Sequence, residues 1–318
     1  MHLHPEILPD VFAVFKYLQE QGWKGIPYHT PPQFEAMTLY DNRMAAAPMP
    51  MSPLWRGESE YHEKCLPSLY RYEWTPLQKL ERQIQLEDFR DILQVNPEIK
   101  EMEEGGLAVN YNGLAQHYGI ETNVLDLTNS FLVAAFFATT QYDSLMDVYR
   151  PIRNYVSMGV IYFFPTGGFM NWGKEPPIWP IGMEALRRPG EQRGFGMEMT
   201  DDNKDLNNYH GGHLFRFWHT PSASMRIWNE TKGGSILFPY DPMTEKVRNI
   251  RKYRIYSKAS LQKAYKIVDG LEMTFEKAQE ALVAKGCTFV ERLPFAYTDK
   301  EVVYINDLFR KMYPGNFD

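Results

Sequence analysis

Two cysteines, Cys65 and Cys287, are all the thiol chemistry in 318 residues. Far apart and unaccompanied, they make no disulfide framework, and no CxxC or Cys/His spacing suited to zinc occurs. A reducing compartment is therefore expected, and a metal is not. HGGHLFRFWH gathers His210, His213 and His219 without a Cys or acidic partner at metal-ligand spacing. No apolar run approaches the roughly 18 residues that a membrane span requires. The first residues, MHLHPEILPDVFAVF, lack the basic region, apolar segment and small-residue cleavage site of an export signal. A soluble, unexported, cytoplasmic protein without membrane contact is the expectation. Internal repeats and low-complexity linkers are also missing, as is any carboxylate cluster or nucleophile motif of a nuclease or other hydrolase.

What is present is a chain rich in core material, with 44% hydrophobic and 14% aromatic residues. That suffices for one large domain or two smaller ones. The net charge of −6 is uneven. Between Glu245 and Lys266 eight Lys/Arg face one Glu, a local +7 that leaves −13 for the rest. Tyr253, Tyr256 and Tyr265 interleave with these charges, a composition suited to a nucleic-acid backbone with stacking bases, with Arg248, Arg251, Lys252 and Arg254 as the candidate contacts. A solvated face on an acidic protein is the plainer alternative.

Taken in order, residues 7–22 have the pattern of a short amphipathic helix stopped by Gly22. Prolines and the Met/Pro/Ala stretch up to Pro53 predict a loop. Leu54-Trp55-Arg56-Gly57 then joins an apolar pair to an arginine and a glycine. On a strand end, the five-donor fork of Arg56 suits a phosphate, carboxylate or ribose edge, and an ordinary structural arginine is the alternative. Arg71 follows in LPSLYR. Thr75 to Gln94, with Pro76 at the first helical position, has the stripe of a long amphipathic helix. Glu98, Glu101, Glu103 and Glu104 predict a solvated connection, and Leu107 to Tyr118 a further helix. Val160 to Phe164 and the vicinity of Ser235 to Phe238 suggest strands, residues 170–182 an aromatic loop able to cover a pocket, and residues 274–285 a helix ending at Gly286.

The chain is organised around residues 114–138, LAQHYGIETNVLDLTNSFLVAAFFA. Gln116, His117 and Tyr118 can touch a ligand. Val124 to Leu127 is a short strand-like step interrupted by Asp126 and Thr128, and the Ala-rich run Phe131 to Ala138 favours a buried helix capped by Asn129 or Ser130. The N–H groups of such a helix favour an anion in front of Thr128 to Ser130. Alternatively, Asp126 and Thr128 only tie down the strand-to-helix turn.

WRG at 55–57, LPSLYR, the long central motif, and RPGEQRGF at 188–195 together, in this order, resemble the signatures of the FRG domain family. That arrangement is similar, more distantly, to the ADP-ribosyltransferase fold. The resemblance implies an α+β domain, a mixed sheet with flanking helices, with an N-terminal helix and loop at 1–50, an FRG-like core at 51–200 and a C-terminal α/β extension at 201–318. It implies NAD as substrate, held by Arg56, with Arg71, Gln116, His117, Tyr118 and Thr128 around it. Asp126 would stand on the polar strand, and Glu191 with Gln192 at the third, later-strand position, where the usual enzymes place a Glu two residues after a Glu or Gln. Glu191 and Gln192 are adjacent, so on a strand only one could face the pocket. Arg56, Asp126, Glu191 and Gln192 are thus the catalytic candidates. The implied function is ADP-ribosyl transfer to nucleic acid or protein by a toxin or phage-defence effector, with an antitoxin or regulatory protein as partner. The competing class is a non-catalytic nucleotide- or nucleic-acid-binding module.

Overall fold

The apolar run around Val160 becomes an inner strand of a sheet, buried on both faces from Gly159 to Phe164. In the computed structural model, which describes residues 1–29, 33–39, 42–50, 53–143, 146, 148–155, 157–165, 178–182, 186–295 and 297–312, the chain divides into two units. The first comprises Met1–Pro67 and Val124–Pro239, the second Ser68–Asn123 and Tyr240–Asp318. Each is assembled from two separated stretches, whereas the boundaries expected at 50 and 200 are consecutive along the chain.

The first unit holds a seven-stranded mixed sheet. Its strands are β1 (His2–Leu8), β2 (Leu54–Glu58), β3 (Val124–Thr128), β4 (Met158–Phe164), β5 (Ile178–Pro180), β6 (Gly194–Glu198) and β7 (His213–Trp218). They lie in the order β1-β7-β4-β2-β3-β6-β5. β1 runs parallel to β7, and the other neighbours are antiparallel. The fold is thus α+β with a mixed sheet, as the sequence suggests. Helices Val11–Glu20, Phe131–Thr139 and Pro221–Glu230 cover one face. Their apolar residues share one core with Trp55, Ile161, Phe163, Phe215 and Phe217, the alternate positions of β2, β4 and β7. Each helix starts at a side-chain cap, Asp10, Ser130 and Thr220 respectively.

Several expectations change in detail. The first helix begins at Val11, not residue 7, because Ile7 and Leu8 are drawn into β1 beside β7 and Asp10 restarts the chain as a cap. Inside the expected loop, Met44–Pro48 pairs with Phe34–Thr38 as an antiparallel hairpin. Residues 235–238 form a turn, not a strand, since Gly233 and Gly234 both take positive φ, 70° and 89°, immediately before them. Residues 170–177 of the expected aromatic loop lie outside the described residues, and Trp179 sits on β5 under the Arg43 guanidinium.

The second unit is mostly helical. Pro76–Leu93 opens with a complete capping box between Thr75 and Gln78. The acidic stretch, expected to be a connection, is helix Pro97–Glu104, started by Asn96, with Ile99 and Met102 buried. The next helix is shorter than expected, Tyr111–His117, because Asn110 caps it. Pro242–Tyr253, Lys258–Ile267, Phe275–Ala284 and Asp299–Met312 follow, and Ile255–Ser257 pairs in parallel with Thr288–Val290. Among the described residues no helix is long and apolar enough to cross a membrane.

Two consequences can be measured. A Cβ at Gly57 would lie 1.8 Å from the Ala134 carbonyl oxygen and 2.9 Å from the Ala138 nitrogen, both backbone atoms of the helix packed on β2. Gly57→Ala is therefore expected to cost at least about 3 kcal/mol in urea unfolding, and a variant unfolding at the wild-type midpoint would contradict this packing. Asp88, wholly buried on helix Pro76–Leu93, takes the Ser257 N–H at 3.2 Å. Burial pushes its carboxyl up to about 7 against the pull of the Ser260 and Ser257 hydrogen bonds. The unfolded chain releases this proton near pH 3.9, so folding takes up a proton between about pH 4 and 7, and stability falls as pH rises through that window. Asp88→Asn should flatten this slope; an unchanged slope would assign it to other groups.

Candidate functional site

Arg56 lies on β2 at the centre of the first unit's sheet, directly opposite Tyr162 of β4. Alternation turns Arg56 and Glu58 to one face, away from the helix-covered face that takes Trp55. The guanidinium is fixed by three hydrogen bonds to two residues. Its Nε and Nη2 donate to Glu58 Oε1 at 3.1 and 2.8 Å, and Nη1 donates to the Asp126 carbonyl oxygen at 2.9 Å. Both side chains of the ion pair are only 12% exposed. Burial opposes the charge of Arg56, but Glu58, Cys65 and Asp126 outweigh it and hold its pKa above the ordinary arginine value. The fork has five N–H donors, and among the described residues three of them are bonded, one on each nitrogen.

Cys65 and Tyr162 complete the cluster. The Cys65 thiol donates to Glu58 Oε1 at 3.4 Å, and its backbone N–H to Asp205 Oδ1 at 3.0 Å. Burial pushes this thiol up to about 12, so it is no thiolate nucleophile near neutral pH. Burial likewise raises the Tyr162 phenol. Glu58 and Tyr162 were not singled out from sequence. The signal for Glu58 was there, since Arg-x-Glu on a strand puts both side chains on one face; Tyr162 needed the β2–β4 register.

Thr128 stands elsewhere. It is paired with Trp55 across β2 and β3, and so shares the helix-covered face. Its hydroxyl donates to the Gln192 carbonyl at 2.8 Å and accepts the Ser130 N–H at 3.1 Å. Ser130 caps the buried helix through the Val133 N–H and meets His29 Nδ1 at 2.9 Å. The Asn129 amide donates to the carbonyls of Pro48 and Pro50. Arg193 reaches Asn129 Oδ1 at 3.5 Å; burial lowers its pKa to about 10, against the charge of Glu191. Asp126 meets Arg56 through its backbone oxygen.

Glu191 and Gln192 are not on a strand. RRPGE turns as a short helix, Arg187–Glu191, with Gln192 at its C-terminal cap. Glu191 lies 3.7 Å from Arg187 one turn back, and the buried Gln192 amide donates to the Leu237 carbonyl at 2.9 Å. A proline two residues into the turn suits a helix start, which is why strand alternation does not govern this pair.

The remaining candidates belong to the second unit. Gln116 Oε1 accepts from Ser68 Oγ at 2.8 Å and Thr122 Oγ1 at 3.1 Å. His117 is buried at the end of its helix, the Tyr118 hydroxyl donates to Asp241, and Arg71 is exposed. Arg248, Arg251 and Lys252 are exposed on helix Pro242–Tyr253, while Arg254 is engaged by Glu81.

A mixed-sheet α+β unit with an arginine and a glutamate on one face of its central strand is thus the class of site. Residues 52–146 match the family model of the FRG domain. The match takes in Arg56, Glu58, the Gln116–Tyr118 segment, Asp126, Thr128 and the buried helix, but not RPGEQRGF. No curated protein and no solved structure matches the chain.

Because the Arg56–Glu58 pair is largely withdrawn from water, removing one partner strands the other. Arg56→Met should cost about 3–5 kcal/mol. The double variant Arg56→Met/Glu58→Met should recover most of that loss in a double-mutant cycle. Additive losses would show that the two side chains are not coupled.

Proposed function

We propose that the first unit binds NAD through Arg56 and transfers its ADP-ribose to a nucleic-acid or protein acceptor, as an effector of the toxin or phage-defence kind. The observation that carries this reading is the Arg56 guanidinium, held by Glu58 and the Asp126 carbonyl, with two further N–H groups that bond nothing among the described residues. Such a fork suits a pyrophosphate or ribose edge. In the reaction the bond from ribose C1′ to the nicotinamide nitrogen breaks, and its electron pair leaves with neutral nicotinamide. An acceptor nucleophile then bonds to C1′ and gives up its proton. The transition state is oxocarbenium-like, so a nearby carboxylate stabilises it. Glu58 is the better placed carboxylate, since Glu191 pairs with Arg187.

Two observations favour a second reading, a nucleotide-binding module without catalysis. The Glu58 charge is already engaged by Arg56, and Gln192 is tied to Leu237.

Incubation with labelled NAD and a mixture of cell protein and RNA separates the two. Transfer is expected to place label on one macromolecular class and release nicotinamide. Glu58→Gln should keep NAD affinity while slowing release about 100-fold, and Arg56→Lys, which keeps the charge but loses the fork, should weaken NAD binding. NAD binding without nicotinamide release would select the binding module. A folded protein that neither binds nor cleaves NAD would end both readings.

A further inference from the structure

The basic stretch of the second unit does not act as one surface. Lys246 closes on Glu301 at 2.9 Å, Arg254 on Glu81 at 2.8 Å, Lys258 on Glu291 at 2.5 Å and Lys263 on Asp91 at 2.7 Å. Tyr256 is buried with its hydroxyl on Glu81, and the Tyr265 hydroxyl donates to the Met273 carbonyl. At least four of the eight cations thus have carboxylate partners, Tyr256 and Tyr265 are bonded through their hydroxyls, and Lys252 stands over the Tyr253 ring.

Arg251 is placed differently. It is exposed, and its Nη1 lies so close to Gly119 that a Cβ there would be 2.9 Å away. Gly119 also has φ +86°, so the backbone of the turn beside this arginine favours glycine. Arg82 is close enough to feel the charge: burial lowers its pKa first, Glu121 and Glu81 oppose, and Arg251 lowers it further. The Arg82 guanidinium carbon stands 3.2 Å above the centre of the Trp74 ring. Trp74 is anchored by its indole N–H on the Leu69 carbonyl at 2.8 Å and meets Tyr72 edge-on at 5.2 Å. Tyr72 itself is 67% exposed. Arg251, at Gly119, and Arg82, 3.9 Å from Glu121, thus flank the same short turn, and Arg82 carries with it a pair of aromatic rings, one of them open to solvent.

We propose that Tyr72, Trp74, Arg82 and Arg251 form a docking platform for single-stranded nucleic acid. Two cations flanking one turn gain from a polyanion. Aromatic and guanidinium planes accept unpaired bases, which a duplex keeps stacked inside. An acidic peptide would answer the charges but leave the open Tyr72 ring without a stacking partner. The platform does not depend on NAD chemistry, so it stands or falls separately from ADP-ribosyl transfer.

The test is fluorescence anisotropy of the full chain, without NAD, against labelled single-stranded RNA and DNA of about 20 nucleotides, a span longer than one stacking groove engages, and against the matching duplex, over a salt series. Single strands should bind more tightly than duplex, and the RNA and DNA arms show which polymer is preferred. Tyr72→Ala should weaken binding about tenfold, and Arg251→Ala should reduce the salt slope by about 0.7. Both variants should unfold at the wild-type urea midpoint, so lost binding reports the surface. Absent or salt-insensitive binding, equal affinity for duplex, or folded variants that bind like the wild type would each overturn the proposal.

Discussion

The backbone of β2 touches the backbone of the buried helix, and most of the first unit depends on that contact. It is allowed because residue 57 has no side chain and because the facing helix presents Ala134 and Ala138. The neighbours of Gly57 then have no choice of direction. Trp55 enters the aromatic core against Phe131 and Phe163, with ring centres 5.2 and 4.8 Å away. Arg56 and Glu58 go to the opposite face. The four residues Trp55 to Glu58 thus act as one device, in which an anchor, a close approach and a polar pair alternate by the period of a strand.

A buried ion pair is a poor source of net stability, since desolvation offsets much of the attraction. Its consequence here is orientation. Glu58 takes two donors from one edge of the guanidinium and the Asp126 carbonyl takes a third, which fixes the plane of Arg56 before any ligand arrives. A ligand meeting this fork does not have to order it, and that entropic saving is what preorganisation means in a binding site. Cys65 and Tyr162 close the surroundings as neutral groups, because burial disfavours the anion of each.

What was legible in the sequence is what short-range chemistry decides. The strand-to-helix step at 124–139, the capping box at Thr75, and the helix ending before Gly286 depend on residues within a few positions of one another. Partners distant in the chain were not legible. Lys263 meets an aspartate 172 positions away and Arg254 a glutamate 173 positions away, so a stretch that looks strongly basic in one dimension is partly neutralised in three. The same holds for the acidic run after Asn96, where Ile99 and Met102 supply the buried side of a helix that charge count alone presents as solvent-facing. The interleaving of the two units is also invisible locally, because each junction falls in an ordinary connection.

The displacement of Glu191 and Gln192 onto a helix end changes where a catalytic carboxylate should be sought. Two groups that act on one ligand from a strand must be separated by two residues, and adjacent residues fail that requirement on any strand. RPGEQ could not have met it, whatever its backbone did: as a helix turn it directs Glu191 to Arg187 and Gln192 to Leu237. Arg56-x-Glu58 does meet it, on a strand that touches the backbone of the buried helix through Gly57. The arginine fork and the negative charge therefore come from the same short segment, and the buried helix of the central motif holds that segment in place through its contact with Gly57.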